Sequence, residues 1–190
     1  MSTVSVLGYA LLCLLVRGPS TGYDLASRLR RPVGYYWTAR HSQIYGELAR
    51  LLDAGLVDYE AASGPGPREK KTYTITTLGR RTLADWLVHP PAPRAPRDEL
   101  VLKTYAVAAA EPNQMARLYR EMADEYAERL AQYRGMLADL TDAGAADRRH
   151  PQFGNYATLR LGLATEEQRV AWCRWMASTL VGDPGSPSQA

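Results

Sequence analysis

A proline-rich segment divides this chain of 190 residues into two parts. Residues 90–96 read Pro-Pro-Ala-Pro-Arg-Ala-Pro, and such a segment cannot continue a helix or a central strand, because proline has no backbone N–H to donate. We therefore expect an N-terminal domain over residues 1–89, a linker over residues 90–96 and a helical domain over residues 97–181. Residues 182–190 have no apolar periodicity, and we expect a disordered tail there.

The N-terminal part shows helical spacing of apolar residues three times. Ser2 or Thr3 can cap the first helix, Ser42 can cap the third, and Gly55 can end the third helix in a left-handed conformation. The apolar positions of the three helices are Val4, Leu7, Leu11, Leu14 and Leu15, then Leu25, Ala26 and Leu29, then Ile44, Leu48, Leu51 and Leu52.

After Gly55 the period of the apolar residues changes from 3.6 to 2. Residues 57–61 and 71–75 alternate between apolar and polar on either side of a glycine- and proline-rich turn, which predicts a β-hairpin. A two-stranded hairpin is too small to be stable alone, so it must pack on the helices. Thr76 or Thr77 can then cap a fourth helix. Three helices followed by a hairpin predict a winged helix-turn-helix, and the fold class is mainly α (α+β).

The third helix carries a polar face opposite its apolar one. Arg50 and Gln43 can form bidentate contacts with guanine and adenine edges, and a helix N-terminus favours phosphate. Gly46 costs about 1 kcal/mol in a helix interior relative to alanine, so its place on this face favours close approach of a groove wall. The alternative is that these are ordinary solvated side chains. The predicted DNA contacts are Tyr23, His41, Ser42, Gln43, Tyr45, Gly46, Arg50, Arg68, Lys70 and Lys71.

The charge balance differs between the two halves. Residues 1–90 hold 11 Lys and Arg against 7 Asp and Glu, whereas residues 91–190 hold 12 against 13. An excess of positive charge in one half is typical of a half that meets a polyanion, although a chance fluctuation would give the same numbers.

The N-terminal part contains a set of short motifs, namely LGYALL at 7–12, GPSTGYDL at 18–25, QIYGELARL at 43–51, GLV at 55–57 and KTYTIT at 71–76. Together they resemble the motifs of the PadR family of bacterial transcriptional regulators, and residues 97–103 and 159–163 resemble that family more loosely. Gly46 departs from the family pattern, which usually has proline there. The resemblance implies a dimeric winged-helix repressor whose C-terminal helices form the dimer contact, often with a small-molecule inducer.

Two long helices are predicted in the second part, from Pro112 to Leu140 and from Tyr156 to Leu180. The first would be about 43 Å long, and the second can cover only part of it. A second copy of the chain would cover the rest through a two-fold interface, whereas an intramolecular helical hairpin is the alternative. The expected dimer contacts are Met115, Leu118, Met122, Tyr126, Leu130, Leu163, Val170 and Cys173. Such a dimer would bind a pseudo-palindromic operator with recognition helices about 34–36 Å apart.

Aromatic and methionine side chains raise the prospect of a pocket for a small-molecule, aromatic effector. The alternative is that the same side chains form a plain core. A ligand that shifts the dimer helices would change the half-site spacing and lower the affinity for DNA. The candidate pocket residues are Trp86, Tyr105, Tyr119, Met122, Trp172 and Trp175.

Motifs for catalysis, metals or membranes are missing from the sequence. The three histidines have no metal-ligand spacing, and there is no phosphate-binding loop or nucleophile elbow. Cys13 and Cys173 are expected to be buried apolar residues, with a redox-sensing thiol as the alternative. No apolar segment reaches the roughly 20 residues that span a bilayer, and no secretory signal is present. We expect a cytoplasmic protein with no enzymatic activity, cofactor or metal.

The predicted function is that of a dimeric transcriptional repressor that binds double-stranded DNA and is released by a small-molecule effector. The alternative is a helical protein-interaction or ligand-binding module whose winged domain binds a protein partner. Salt separates the two, because DNA binding weakens steeply with salt through counterion release whereas an apolar protein contact does not.

Overall fold

The computed structural model describes residues 4–30, 41–62, 70–92 and 98–181. These residues form two compact units, and the boundary between the units falls between positions 93 and 94. The expected linker lies partly outside the described residues, and the expected tail over 182–190 lies wholly outside them.

Helices and a small sheet make up the described part of the first unit. The helices are α1 (Val6–Leu15), α2 (Gly22–Arg30), α3 (His41–Asp53) and α4 (Thr77–Leu87), and the strands are β1 (Ser20–Thr21), β2 (Val57–Ala62) and β3 (Lys70–Ile75). The sheet is antiparallel with the order β1-β3-β2, and Tyr59 lies opposite Tyr73. The predicted winged-helix fold is therefore confirmed. The two-residue strand β1 is too short to leave a pattern in the sequence, and it was not predicted.

Two predicted helix starts are wrong. Helix α1 begins at Val6, and its cap is Ser5, whose Oγ accepts a hydrogen bond from the Gly8 N–H at 3.0 Å. The sequence placed this cap earlier, at positions 2 or 3, which lie outside the described residues. Ser42 lies inside α3, one residue after its first described residue, so it is not the cap of that helix.

The end of α3 follows the prediction at Gly55, whose φ is 67°. The Leu56 N–H donates to the Leu51 carbonyl at 2.9 Å, and the Gly55 N–H donates to the Leu52 carbonyl at 2.9 Å. Thr76 then joins this turn to the next helix, because its hydroxyl donates to the Gly55 carbonyl at 2.8 Å and accepts from the Gly79 N–H at 3.0 Å. Thr76 is thus the cap of α4.

The core of the first unit lies among α1, α2, α3 and one face of the sheet. That face carries Val57, Tyr73 and Ile75, which alternate along their strands with exposed residues. Most of the apolar positions predicted from helical spacing are buried. The side chains with almost no exposed surface are those of Leu11, Leu12, Leu15, Leu25, Ile44, Leu48, Leu51 and Val57.

The second unit contains α5 (Glu99–Tyr105), a 3-10 turn (Val107–Ala109), α6 (Pro112–Asp142) and α7 (Phe153–Val181). Both predicted long helices are present, and α6 spans about 46 Å. Helices α6 and α7 pack along each other as a helical hairpin. In the described chain, no helix combines the length and the apolar character that crossing a membrane requires.

Candidate nucleic-acid interface

Helix α3 has one buried and one exposed face, as its spacing predicts. Ile44, Leu48 and Leu51 are buried against α1 and α2. The opposite face is exposed to solvent and consists of Ser42, Gln43, Gly46 and Arg50. The structure therefore brings these four predicted DNA-contact residues together on one surface.

Gly46 leaves open space on this face, because no atom lies within 4 Å of the position that a Cβ would occupy. The ring of Tyr45 is half-exposed and lies against Gly22 at the start of α2, where a Cβ would meet ring atom Cε1 at 2.5 Å. Tyr23, in the first turn of α2, is also exposed. His41 begins the described part of α3, but its side chain lies outside the described atoms.

A buried carboxylate beneath this face was not predicted. Glu47 is 4% exposed, its Oε1 accepts a hydrogen bond from the Ser5 hydroxyl at 2.7 Å, and its Oε2 pairs with the guanidinium of Arg50. A signal for it was present, since position 47 lies three residues after Ile44 and four before Leu51, on the apolar side of the helix.

The return strand of the hairpin presents a lysine beside an aromatic pair. Lys71 is exposed, and its Nζ lies 4.2 Å from the centre of the Tyr59 ring, which tilts against Tyr73 at 5.9 Å. Burial raises the pKa of Tyr73, and the charge of Lys71 partly opposes that rise. The backbone of Lys70 begins β3, but its side chain and the whole of Arg68 lie outside the described residues.

The residues predicted to form a dimer contact divide into two groups. Four of them are buried within the single chain, where the hairpin of α6 and α7 covers most of their surface. These four are Leu130, Leu163, Val170 and Cys173. Met115, Leu118, Met122 and Tyr126 are half-buried on α6. Helical spacing identifies an apolar stripe but does not say which helix covers it.

The structure places the predicted effector residues in different surroundings within the two units. Trp86 belongs to the first unit, where its ring stacks on Tyr9 at 4.4 Å. Tyr105 is 92% exposed and Trp175 is 57% exposed. Tyr119 is fully buried with Met122 packed beside it, and its ring meets that of Trp172 edge-on at 5.7 Å.

The hydroxyl of Tyr119 fixes α5 against α6. Thr104 donates its hydroxyl proton to the Leu100 carbonyl at 2.7 Å, so the Tyr119 hydroxyl is the donor in the 2.7 Å hydrogen bond to Thr104 Oγ1. Tyr119 therefore belongs to the core of the second unit.

A cleft of about 300 Å³ opens beside this core in the second unit. Of the predicted effector residues, Trp172 is the one that lines it. The sequence did not single out Arg169, whose guanidinium lies 4.0 Å from the Asp98 carboxylate and 5.3 Å from the centre of the Tyr126 ring. Burial raises the pKa of Tyr126, and Arg169 partly opposes that rise. The lining residues are Asp98, Leu100, Val101, Tyr126, Thr165, Gln168, Arg169 and Trp172.

Both cysteines lie in surroundings that favour the thiol over the thiolate. Burial raises the pKa of Cys13, and burial likewise raises that of Cys173, which has no exposed surface. A redox-sensing cysteine needs an accessible thiolate, so this environment favours the interpretation of both as small apolar residues. The described residues contain no group of three or more His, Cys, Asp or Glu that could hold a metal ion.

Comparison with known proteins places the chain in a family. Residues 11–85 match the Transcriptional regulator PadR-like family, and residues 96–180 match the Virulence activator alpha C-term family. The chain is 34% identical over 169 residues to the Negative transcriptional regulator PadR of Bacillus subtilis, which covers 88% of this chain and 93% of that protein. It is 33% identical over 185 residues to the Probable transcriptional regulator Rv1176c of Mycobacterium tuberculosis, covering 92% and 97%.

Solved structures extend the match to the whole fold. Bacillus subtilis PadR in complex with operator DNA superimposes with a TM-score of 0.86 at 32% identity, covering 94% of this chain and 99% of that one. The same protein in complex with p-coumaric acid gives a TM-score of 0.74 at 30% identity, covering 93% and 99%. The Vibrio cholerae virulence activator AphA gives 0.71 at 27% identity, covering 92% and 97%. The chain belongs to the PadR-like family of transcriptional regulators.

Proposed function

We propose that the protein is a cytoplasmic, dimeric repressor that binds a pseudo-palindromic operator through α3 and the β2–β3 hairpin and is released by a small aromatic effector. The observation that carries the proposal is the exposed polar face of α3, which lies opposite a fully buried face. The fold that carries α3 also supports the proposal, because it matches that of Bacillus subtilis PadR in complex with operator DNA.

The DNA contacts fall into two kinds. Arg50 and Gln43 have the bidentate donors and acceptors that read guanine and adenine edges in the major groove, and Gly46 lets the helix approach the bases. The other contacts position the protein on phosphates, from the start of α3, from α2 and from the hairpin. These phosphate-contact residues are Tyr23, His41, Ser42, Tyr45, Arg68, Lys70 and Lys71.

A second copy of the chain is proposed to cover the outer face of α7 together with the half-buried residues of α6. Leu161 and Trp175 are exposed on α7 and are fourteen residues apart, with Gln168 midway, so they lie on one side of the helix. A two-fold dimer would place the two α3 helices in successive major grooves about 34–36 Å apart.

Selection of binding sites from randomised duplexes tests this proposal. The protein is expected to enrich a pseudo-palindrome whose half-sites are about 10 base pairs apart from centre to centre, and to elute as a dimer. Enrichment of no sequence, or of a single half-site by a monomer, would contradict it.

The cleft beside Trp172 is the proposed effector site. Its volume suits a small ring, Trp172 and Tyr126 supply apolar walls, and Arg169 supplies a cation for a carboxylate. Bacillus subtilis PadR has been solved with p-coumaric acid, an aromatic carboxylic acid. Because the cleft borders the exposed side of α7, a bound ligand would act on the proposed dimer contact.

Replacing Arg169 by glutamine is expected to weaken binding of p-coumaric acid about tenfold. A hydrogen bond to a charged group contributes about 1.5–3 kcal/mol, and the partial exposure of Arg169 lowers that figure. Tryptophan fluorescence reports the binding, since Trp172 lines the cleft. Arg160→Gln, an exposed change on the same helix, is the control and should leave the affinity unchanged. Equal affinities for Arg169→Gln and the wild type would place the effector elsewhere.

A further inference from the structure

Glu47 connects two helices through its two carboxylate oxygens. Its Oε1 accepts the hydrogen bond from Ser5, the cap of α1, and its Oε2 pairs with Arg50 one turn along α3. The Glu47 side chain is 5% exposed, whereas that of Arg50 is 74% exposed. The ion pair therefore joins a buried carboxylate to a guanidinium that faces the solvent.

Helix α1 is shaped to admit this carboxylate. A Cβ on Gly8 would lie 2.7 Å from Glu47 Oε1, closer than real Cβ atoms approach a neighbour, so the glycine leaves the space that the oxygen occupies. The Ser5 hydroxyl accepts from the Gly8 N–H at 3.0 Å, which holds it in place to donate its proton to Glu47. The carboxylate is thus fixed from the side of α1.

Burying an unpaired carboxylate destabilises the folded state, so Glu47 requires its partners. An ion pair one turn apart on a helix with an exposed arginine adds little to the free energy of folding. The arrangement has a clearer consequence for the arginine. A free arginine side chain samples many rotamers and must lose that freedom when it binds a base. An arginine already held at one nitrogen, with its remaining N–H donors facing outward, loses less freedom on binding.

We propose that Glu47 is a positioning residue that orients the Arg50 guanidinium for base recognition and ties that orientation to α1 through Ser5. This inference rests on the proposed function, in which Arg50 reads a base. Glu47 itself does not touch DNA in this scheme. It acts on specificity, so its removal should change the ratio of operator affinity to random-DNA affinity.

The test is Glu47→Gln in the full-length protein, measured on the selected operator and on a random duplex of equal length. The amide keeps the size of the side chain but removes the charge that holds Arg50. We expect the ratio of the two affinities to fall about fivefold, while affinity for random DNA stays equal or rises because a negative charge is lost. A fall of both affinities by the same factor in a folded Glu47→Gln protein would contradict a positioning role.

Glu60→Gln is the matched control, because it makes the same charge change at an exposed position of β2. It should change binding to both duplexes equally and leave the ratio intact. Gly8→Ala is the second variant, since it keeps Glu47 and Arg50 but forces the carboxylate to move. It should lower the ratio in the same direction, and it serves as the test if Glu47→Gln does not fold. An unchanged ratio in the folded variant would overturn the proposal.

Arg50→Ala in the same assay separates this inference from the proposed function. If Arg50→Ala lowers the ratio and Glu47→Gln does not, the positioning role alone is wrong. If Arg50→Ala leaves the ratio unchanged, the assignment of base reading to Arg50 is wrong, and the inference is overturned with it. In the double variant, Glu47→Gln should have no further effect on the ratio.

Discussion

Arg50→Ala is expected to weaken binding to the selected operator about tenfold to a hundredfold while changing the affinity for random DNA by about twofold at most. On the operator, a bidentate contact from Arg50 to a base would contribute about 1–3 kcal/mol of discrimination. On random DNA, Arg50 could contribute at most one phosphate contact at the margin of the interface, which is worth much less. Fluorescence anisotropy on labelled duplexes of equal length measures both affinities under the same conditions.

Lys71→Ala provides the contrast for this prediction. Lys71 lies on the hairpin, where it is proposed to contact phosphate, so its removal should weaken binding to both duplexes equally and reduce the salt slope by about one unit. Arg80→Ala, at an exposed position of α4, controls for the loss of one positive charge. Equal losses on both duplexes for Arg50→Ala and Lys71→Ala would contradict the division into base-reading and phosphate-contact residues.

Gly79→Ala is expected to destabilise the first unit by about 1–3 kcal/mol, the range for overpacking a close contact. A Cβ at this position would lie 2.1 Å from the carbonyl oxygen of Leu56 and 2.9 Å from Ile75 Cγ1. The first of these atoms belongs to the backbone of the turn that ends α3, so it cannot move without shifting that turn or the start of β2. Faster amide hydrogen exchange in peptides from α3 and α4 measures the loss within the first unit.

The control for this change is Gly135→Ala on α6. No atom lies within 4 Å of the position of its Cβ, and the residue is exposed, so the helix should gain about 1 kcal/mol from the better propensity of alanine. Wild-type exchange rates in α3 and α4 of the Gly79→Ala protein would show that α4 does not require this close approach.

Local patterns predicted the first unit well because its elements have clear signals. The change of period after Gly55, the glycine itself and the spacing of Ile44, Leu48 and Leu51 all have their predicted structural counterparts. Glu47 was missed because its importance depends on Ser5, which is 42 residues away. Strand β1 was missed because two residues carry no periodicity.

In the second unit, the spacing of apolar residues did not indicate which surface covers them. Leu130 and Val170 have the spacing of interface residues, and within the single chain the neighbouring helix already buries most of their surface. The cleft was missed because Asp98 and Arg169 become neighbours only when α5 and α7 pack in the same unit. Aromatic residues were the predicted signal for the pocket, yet Tyr105 is almost fully exposed and Tyr119 lies in the core.

Operator binding by α3 and the hairpin is tested by the affinity of the wild-type protein for the DNA upstream of its own gene. The affinity is measured at two salt concentrations, and the mass of the protein in solution is determined alongside. We predict tight binding by a dimer that resists random competitor DNA and falls about a thousandfold between about 50 and 200 mM salt, as expected for about six phosphate contacts. An affinity that does not change with salt and shows no preference over random DNA would contradict operator binding. That result would favour a winged domain that binds a protein partner.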